Sequence, residues 1–164
     1  MSERVSSGGG RRTPAAGERR FELLERISFT VPGPPQGKAR ARTVRNKYTG
    51  KPMSYTPEST VLYENWIRTC YMQVDGGIFE RNEALMIGVH AYFEPPKSVS
   101  KTKRADMLSG KLRPLKKPDG DNILKVVCDA LNGLAYRDDI QLAEKHIYKE
   151  YAEKARLEIV LMKI

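Results

Sequence analysis

Hydrophobic and polar positions along the chain follow two periods. Ile27 to Val31 and Ala84 to Phe93 carry apolar side chains at every second position, as a strand with one buried face does. Gln141 to Tyr151 alternates around Leu142, His146 and Tyr148, and Ala155 to Ile164 offers Leu157, Ile159, Leu161 and Ile164 to a core. Elsewhere the spacing becomes helical. From Pro57 to about Val74, a stripe of Leu62, Trp66, Ile67, Cys70 and Val74 predicts a helix, with Thr56 as its cap and Pro57 in its first turn. Trp66 is expected in the core as part of that stripe, rather than on a nucleobase. Asp75-Gly76-Gly77 breaks the helix. After Pro118 the apolar positions Ile123, Val126, Val127, Ala130, Leu131 and Leu134 recur at spacings of three and four. Pro118 suits the first turn of this helix, Asp119 or Asp121 its cap, and Asn132-Gly133 its stop. Ser98 to Ser109 fits a shorter helix capped by Ser98 or Ser100.

The order is strand, helix, strand, irregular basic segment, helix, strand, strand. It predicts a single small α+β (mixed α/β) domain, with one mixed or mainly antiparallel sheet covered by two main helices. The domain spans residues 27–164. Met1 to Arg20 is rich in Ser, Gly, Pro, Arg and Glu with almost nothing to bury, so residues 1–26 are expected to form a disordered basic extension, apart from a short helical lead-in at Phe21 to Leu24.

Charge adds what periodicity cannot. Lys and Arg number 29 against 20 acids, a net charge of +9, which favours a polyanionic partner without choosing among DNA, RNA and membrane. Residues 36–51 hold six bases and no acid: Lys38, Arg40, Arg42, Arg45, Lys47 and Lys51. On an extended backbone Lys38, Arg40 and Arg42 would project to one side and meet successive phosphates. Residues 97–117 hold eight bases, ending in Lys116 and Lys117, against the single acid Asp106; a flexible segment of this kind would order on DNA. No apolar run is long enough to span a bilayer, and no secretory signal opens the chain. Cys70 and Cys128 lie in apolar helical contexts and read as buried free thiols in a reducing cytoplasm. His90 and His146 fall in strand-like runs without ligand spacing, so they read as structural or surface groups.

The acids that matter are concentrated in residues 116–139: Asp119, Asp121, Asp129 and the pair Asp138–Asp139. On the predicted helix Asp121, Lys125 and Asp129 stand four residues apart, on one face opposite the apolar stripe. Gathered carboxylates repel unless one keeps its proton or a cation joins them, and carboxylate oxygen is a good ligand for Mg2+ or Mn2+. Such an ion activates water and offsets charge on a phosphoryl oxygen. The plain alternative is a solvated acidic helix face.

The stretch KPDGDNILKVVCDALNGLAYRDDIQ resembles the central motif of the RusA-like Holliday junction resolvases, endodeoxyribonucleases typical of phages and prophages. The matching residues are Asp119, Asp121, Asn122, Lys125, Asp129, Ala130, Leu131, Asp138, Asp139 and Gln141. The proline pair, the basic segment and Tyr55-Thr56-Pro57 extend the likeness, which covers about Ile27 to Ile164. The resemblance implies that Asp119, Asp121 and Asp139 are catalytic, metal-binding carboxylates, that Lys125 is functional, and that Asp129 and Asp138 support the site. It implies Mg2+ as cofactor with Mn2+ able to substitute, and branched DNA, especially four-way junctions, as substrate. It also implies a homodimer making paired cuts in the cytoplasm of a bacterial or phage-infected cell. Lys38, Arg40, Arg42, Arg45, Lys47, Lys116 and Lys117 are the expected DNA contacts. Two other readings stay open. One is a catalytically silent DNA-binding protein of the same fold, and the other is an RNA-binding module with the same charge but no aromatic RNA-recognition motif.

Overall fold

The computed structural model describes residues 25–164. Residues 1–24 of the expected extension, with the lead-in at Phe21 to Leu24, lie outside the described residues, whereas Lys163 N donates to Glu25 O at 2.9 Å and Arg26 already opens the first strand. Four strands form a mixed sheet: β1 (Arg26–Pro32), β4 (Leu85–Phe93), β5 (Leu142–Tyr151) and β6 (Arg156–Lys163), in the order β1-β6-β4-β5. β6 runs antiparallel to β1 and β4, whereas β5 runs parallel to β4. Parallel neighbours need a crossover. Here it carries α2 (Lys101–Leu108) and α3 (Gly120–Leu131). β2 (Arg42–Arg45) and β3 (Pro52–Tyr55) form a separate antiparallel ribbon, and α1 (Glu58–Gln73) follows it.

Alternation turns Ile27, Phe29 and Val31, Leu157, Ile159 and Leu161, and Leu85, Ile87, Val89, Ala91 and Phe93 toward one side. There α1 and α3 cover them and pack against each other. From α3, Ile123, Val126, Val127, Ala130 and Leu131 are fully buried, as the spacing predicts. Each large aliphatic side chain contributes roughly 1.5–3 kcal/mol by leaving water. The helix ends at Asn132, and Gly133 supplies the left-handed residue (φ 72°) that turns the chain away. Cys70 and Cys128 are both buried and free. On the opposite sheet face His90 stacks on Tyr148 at 4.6 Å and faces Glu150, while His146 faces Glu144, so neither histidine belongs to the core.

Several expectations need correction. The buried face of α1 is Thr60, Tyr63, Ile67, Cys70 and Tyr71. Of the predicted stripe only Ile67 and Cys70 belong to it; Leu62 and Val74 are exposed, and Trp66 is 40% exposed with its indole Nε1 donating to Pro32 O at 3.0 Å. Tyr63 and Tyr71 bury large ring surfaces that a simple apolar count undervalues. Tyr71 satisfies its hydroxyl by donating to Gly77 O at 2.6 Å. Pro57 occupies the cap position itself, leaving Thr56 outside the helix. Pro118 precedes the cap Asp119 rather than entering the first turn of α3, and the Lys117–Pro118 peptide is cis. Ile164 is exposed.

The second basic segment contains α2 and is tied to the sheet by ion pairs. Ser100 Oγ accepts from Lys103 N at the start of α2, and Arg104 pairs with Glu153 at 2.5 Å. Arg113 pairs with Glu150, and Lys111 with Asp106 at 3.3 Å. Among the described residues no helix is long and apolar enough to cross a membrane.

Candidate active site and nucleic-acid interface

The crossover fixes where the acids stand. The chain enters α3 beside the carboxyl-terminal half of β5, where Lys149 Nζ donates to the carbonyls of Lys116 and Pro118, the latter at 3.0 Å. Lys116 and Lys149 also lie over the Phe93 ring, at 5.1 and 5.4 Å. This clamp holds the segment just before Asp119. Gly120 then packs on Ile147, where an added Cβ would stand 3.4 Å from that side chain.

Asp119 is the N-cap residue, yet its carboxylate makes no hydrogen bond to the helix, and Asp121 follows in the first turn. Among the described residues no ion pair engages either carboxylate. Asp119 opens into a cleft of about 470 Å³ shared with Gln36, Gly37, Lys38, Lys117 and Asn122. The wall opposite is held close: Lys38 N donates to Asn122 O at 2.9 Å, and a Cβ on Gly37 would come within 2.9 Å of Pro118. Glycine is therefore required for this approach.

Lys38 is engaged within the fold. Its Nζ lies 2.5 Å from Glu64 Oε1 on α1 and 2.9 Å from Asp129 Oδ2 on α3. Burial disfavours its charge, but the hydrogen bonds it donates to Glu64 and Asp129 outweigh that and hold its pKa above the ordinary lysine value. Asp129 Oδ1 in turn lies 3.7 Å from Lys125 Nζ, one turn back on α3. Asp129 thus stands between two ammonium groups, and Lys125 remains largely exposed beside it. Glu64 escaped the sequence reading. Its signal was an acid four residues after Thr60 and three before Ile67, on the buried stripe of α1. Lys149 has a similar signal, a cation between Ile147 and Tyr151 on the inner face of β5.

Asp138 and Asp139 precede β5. Asp138 caps a 3-10 turn, Asp139–Gln141, by accepting from Ile140 N at 3.2 Å. Buried Gln141 accepts from Arg137 N and Asp138 N and donates to Glu80 O and Glu83 O. Tyr136 donates to Cys128 O at 2.8 Å, tying the turn to the end of α3. Burial raises the Cys128 thiol pKa, and the charges of Asp129 and Asp139 add to the effect. Asp139 therefore sits toward the C-terminal end of α3, whereas Asp119 and Asp121 sit at its start. The helix between them has 12 residues, about 18 Å.

Within one chain the structure sets Asp119 and Asp121 two residues apart at the start of α3 and joins Asp129 to Lys125, but leaves Asp139 toward the far end of that helix. Among the described residues no group of three or more Asp, Glu, His or Cys side chains is gathered to hold a metal ion. Asp119 and Asp121 nevertheless fit Mg2+, which is commonly held by one or two carboxylates, with water and substrate phosphate completing its shell. The remaining expected DNA contacts separate by position. Arg40, Arg42, Arg45 and Lys47 lie exposed along the basic arm, Lys117 lines the cleft, and Lys116 lies over Phe93.

Residues 32–162 match the family model described as endodeoxyribonuclease RusA. The Bacillus subtilis (strain 168) protein designated uncharacterized protein YqaN is 34% identical over 149 residues, covering 86% of this chain and 99% of its own length. The proline exit, the basic arm, α3 with its acids and the Asp138–Asp139 turn all fall within the matched residues, and the chain belongs to the RusA family of endodeoxyribonucleases.

Proposed function

We propose that this protein is a metal-dependent endonuclease that resolves four-way DNA junctions by paired, symmetric phosphodiester hydrolysis. The observation that carries the reading is the unengaged acids Asp119 and Asp121 at the start of α3, with Asp119 lining a cleft beside Lys38 and Lys117 in a chain of net charge +9. A helix start also stabilises negative charge nearby. Mg2+, or Mn2+ in its place, would be held by Asp119 and Asp121, with Asp139 as the third carboxylate that the family resemblance requires, and would supply activated water and charge neutralisation at phosphorus. Lys125 steadies charge on the phosphate, with Asp129 orienting its ammonium. Arg40, Arg42, Arg45, Lys47 and Lys117 hold the DNA backbone. The protein acts as a homodimer, since two opposed cuts need two sites at a fixed separation. Its place of action is the cytoplasm of a bacterial or phage-infected cell.

The separation of Asp139 from Asp119–Asp121 within one chain favours one alternative, a catalytically silent junction binder. Full-length protein with a synthetic four-way junction, a linear duplex and RNA, in Mg2+ or Mn2+, separates the two. The expected result is paired nicks in opposed junction strands, with no cutting after chelation. Tight junction binding without cutting in either metal would establish the silent reading. Sedimentation equilibrium across a dilution series measures assembly, and a monomer that makes both cuts would overturn the dimer.

A further inference from the structure

The β2–β3 ribbon leaves the body of the protein as an arm. Every residue of both strands is exposed, and its two strands pair only with each other. A lone two-stranded ribbon has little of its own to hold it. At its root Lys38 reaches Asn122, Glu64 and Asp129, and Ala39 N donates to Thr60 Oγ1 at 3.4 Å. The arm is therefore anchored beside the acid pair and free beyond it.

Its surface combines two chemistries. Registered neighbours share a face, so Arg42 and Tyr55 lie together, followed by Val44 and Met53. The apolar members of this face are uncovered, Val44 at 41% and Met53 at 50% exposure. At the tip Asn46 Oδ1 accepts from Tyr48 N at 2.8 Å and Thr49 N at 3.1 Å, and Gly50 takes φ 68° to close the turn. This closed turn presents Tyr48 at 98% exposure. Arg40, Arg42, Arg45, Lys47 and Lys51 surround these groups, and residues 33–57 contain no acid. Bases alone would serve phosphate binding; the open aromatic and apolar groups add a surface for flat, apolar ring faces.

We propose that the β2–β3 arm is a binding site for unstacked nucleobases of branched DNA, with Tyr48 stacking on a base and the Val44–Met53 face covering its neighbour. The occupant is DNA because the uncovered apolar groups are ringed by positive charge alone. A branch point provides such bases at low cost, since its pairs are already strained, and stacking on an aromatic ring is indifferent to sequence. The proposal rests on the junction reading for its substrate, but not on catalysis.

The test uses full-length protein in chelator, on a four-way junction carrying 2-aminopurine at the branch point, on the matching linear duplex and on a single-stranded oligonucleotide. Wild-type protein is expected to raise 2-aminopurine fluorescence on the junction. Tyr48→Ala should abolish that rise and weaken junction and single-strand binding by roughly tenfold. Duplex binding and the slope of log affinity against log salt should stay unchanged. Tyr48→Trp should restore the signal. Equal junction and single-strand affinities for wild type and Tyr48→Ala would overturn the proposal, as would an equal loss on the duplex. A change in self-association instead of DNA affinity would assign the arm to a second copy of the chain and likewise overturn it. If wild type does not prefer junctions to duplex, the junction reading fails, while the single-strand comparison still decides the role of Tyr48.

Discussion

Lys38 Nζ stands 2.9 Å from Asp129 Oδ2, so the first base of the arm pairs with the protein's own helix. Its second partner, Glu64, joins α1 to the same ammonium. Lys38 therefore links the arm root to both covering helices. Lys38→Ala removes two charge-assisted hydrogen bonds, leaving Glu64 without its cation and Asp129 with Lys125 alone. The expected cost is about 1.5–3 kcal/mol, read as a lower denaturation midpoint. Lys38 has a raised pKa, so its contribution is fully present below the ordinary lysine range and is lost as pH rises through the folded value. Salt titrations of junction binding should separate it from its neighbours. Arg42→Ala should lower the log affinity–log salt slope by about 1, and Lys38→Ala should leave it near wild type. A full unit lost with Lys38→Ala would place its ammonium on phosphate after all.

Glu150 links the fold to pH. Its hydrogen bond with Arg113 holds the carboxyl below its usual range, against burial, with His90 assisting. A depressed carboxyl stabilises the fold above its unfolded pKa, roughly 4.3, and loses that contribution as pH falls through the folded value. Wild type should therefore lose stability as pH falls from about 5 toward 3 more steeply than Glu150→Gln. Denaturation midpoints at a series of pH values measure the difference. Parallel curves for the two proteins would remove Glu150 from the acid response.

Gln141 organises the turn that presents Asp139. It serves two backbone donors and two backbone acceptors while buried. Gln141→Leu keeps much of the volume and strands those groups, at an expected cost of about 1–3 kcal/mol. Local effects should exceed the global one. Hydrogen exchange at the Arg137 and Asp138 amides should accelerate in the variant, whereas amides of β4 should follow global stability alone. Unchanged exchange at those two positions would show that the turn holds without the amide side chain.

The sequence made α3 legible because its burial and its periodicity coincide: the residues at spacings of three and four are the ones that meet the sheet. α1 was misread because its buried face uses Thr60, Tyr63 and Tyr71, whose polar atoms disguise the stripe, while Trp66 looks like core and caps an edge. The ribbon carries no burial pattern, since every residue of both strands is exposed, and the sequence showed only a basic segment there. Ion pairs such as Lys38–Glu64 join positions far apart in the chain, so charge counting placed Lys38 with the free bases. The acid motif was legible as a run of residues, but its spatial division was not. Sequence proximity brings Asp139 near Asp129, while the length of α3 carries it away from Asp119.

The carboxylates give the last prediction. Asp119 and Asp121 are unengaged within the described structure, so removing one charge costs the fold little. Asp121→Asn keeps the size of the side chain and removes a charge that would face both metal and DNA. It should lose nearly all Mg2+-dependent cutting, retain its denaturation midpoint and bind junctions as tightly as wild type or slightly more so. Asp119→Asn and Asp139→Asn should behave alike, even though Asp139 lies at the other end of α3. Asp138→Asn keeps a side-chain oxygen for the cap and should be milder. Asp129→Asn should combine a partial loss of cutting with a lower midpoint, because Asp129 also holds Lys38. Lys125→Ala should reduce turnover more than junction affinity if its charge acts chiefly on the transition state. Single-turnover cleavage across a metal titration, paired with binding in chelator, measures all six variants. Normal cutting by folded Asp121→Asn would remove it from the catalytic set. Normal cutting by Asp139→Asn alone would restrict that set to the acids at the start of α3.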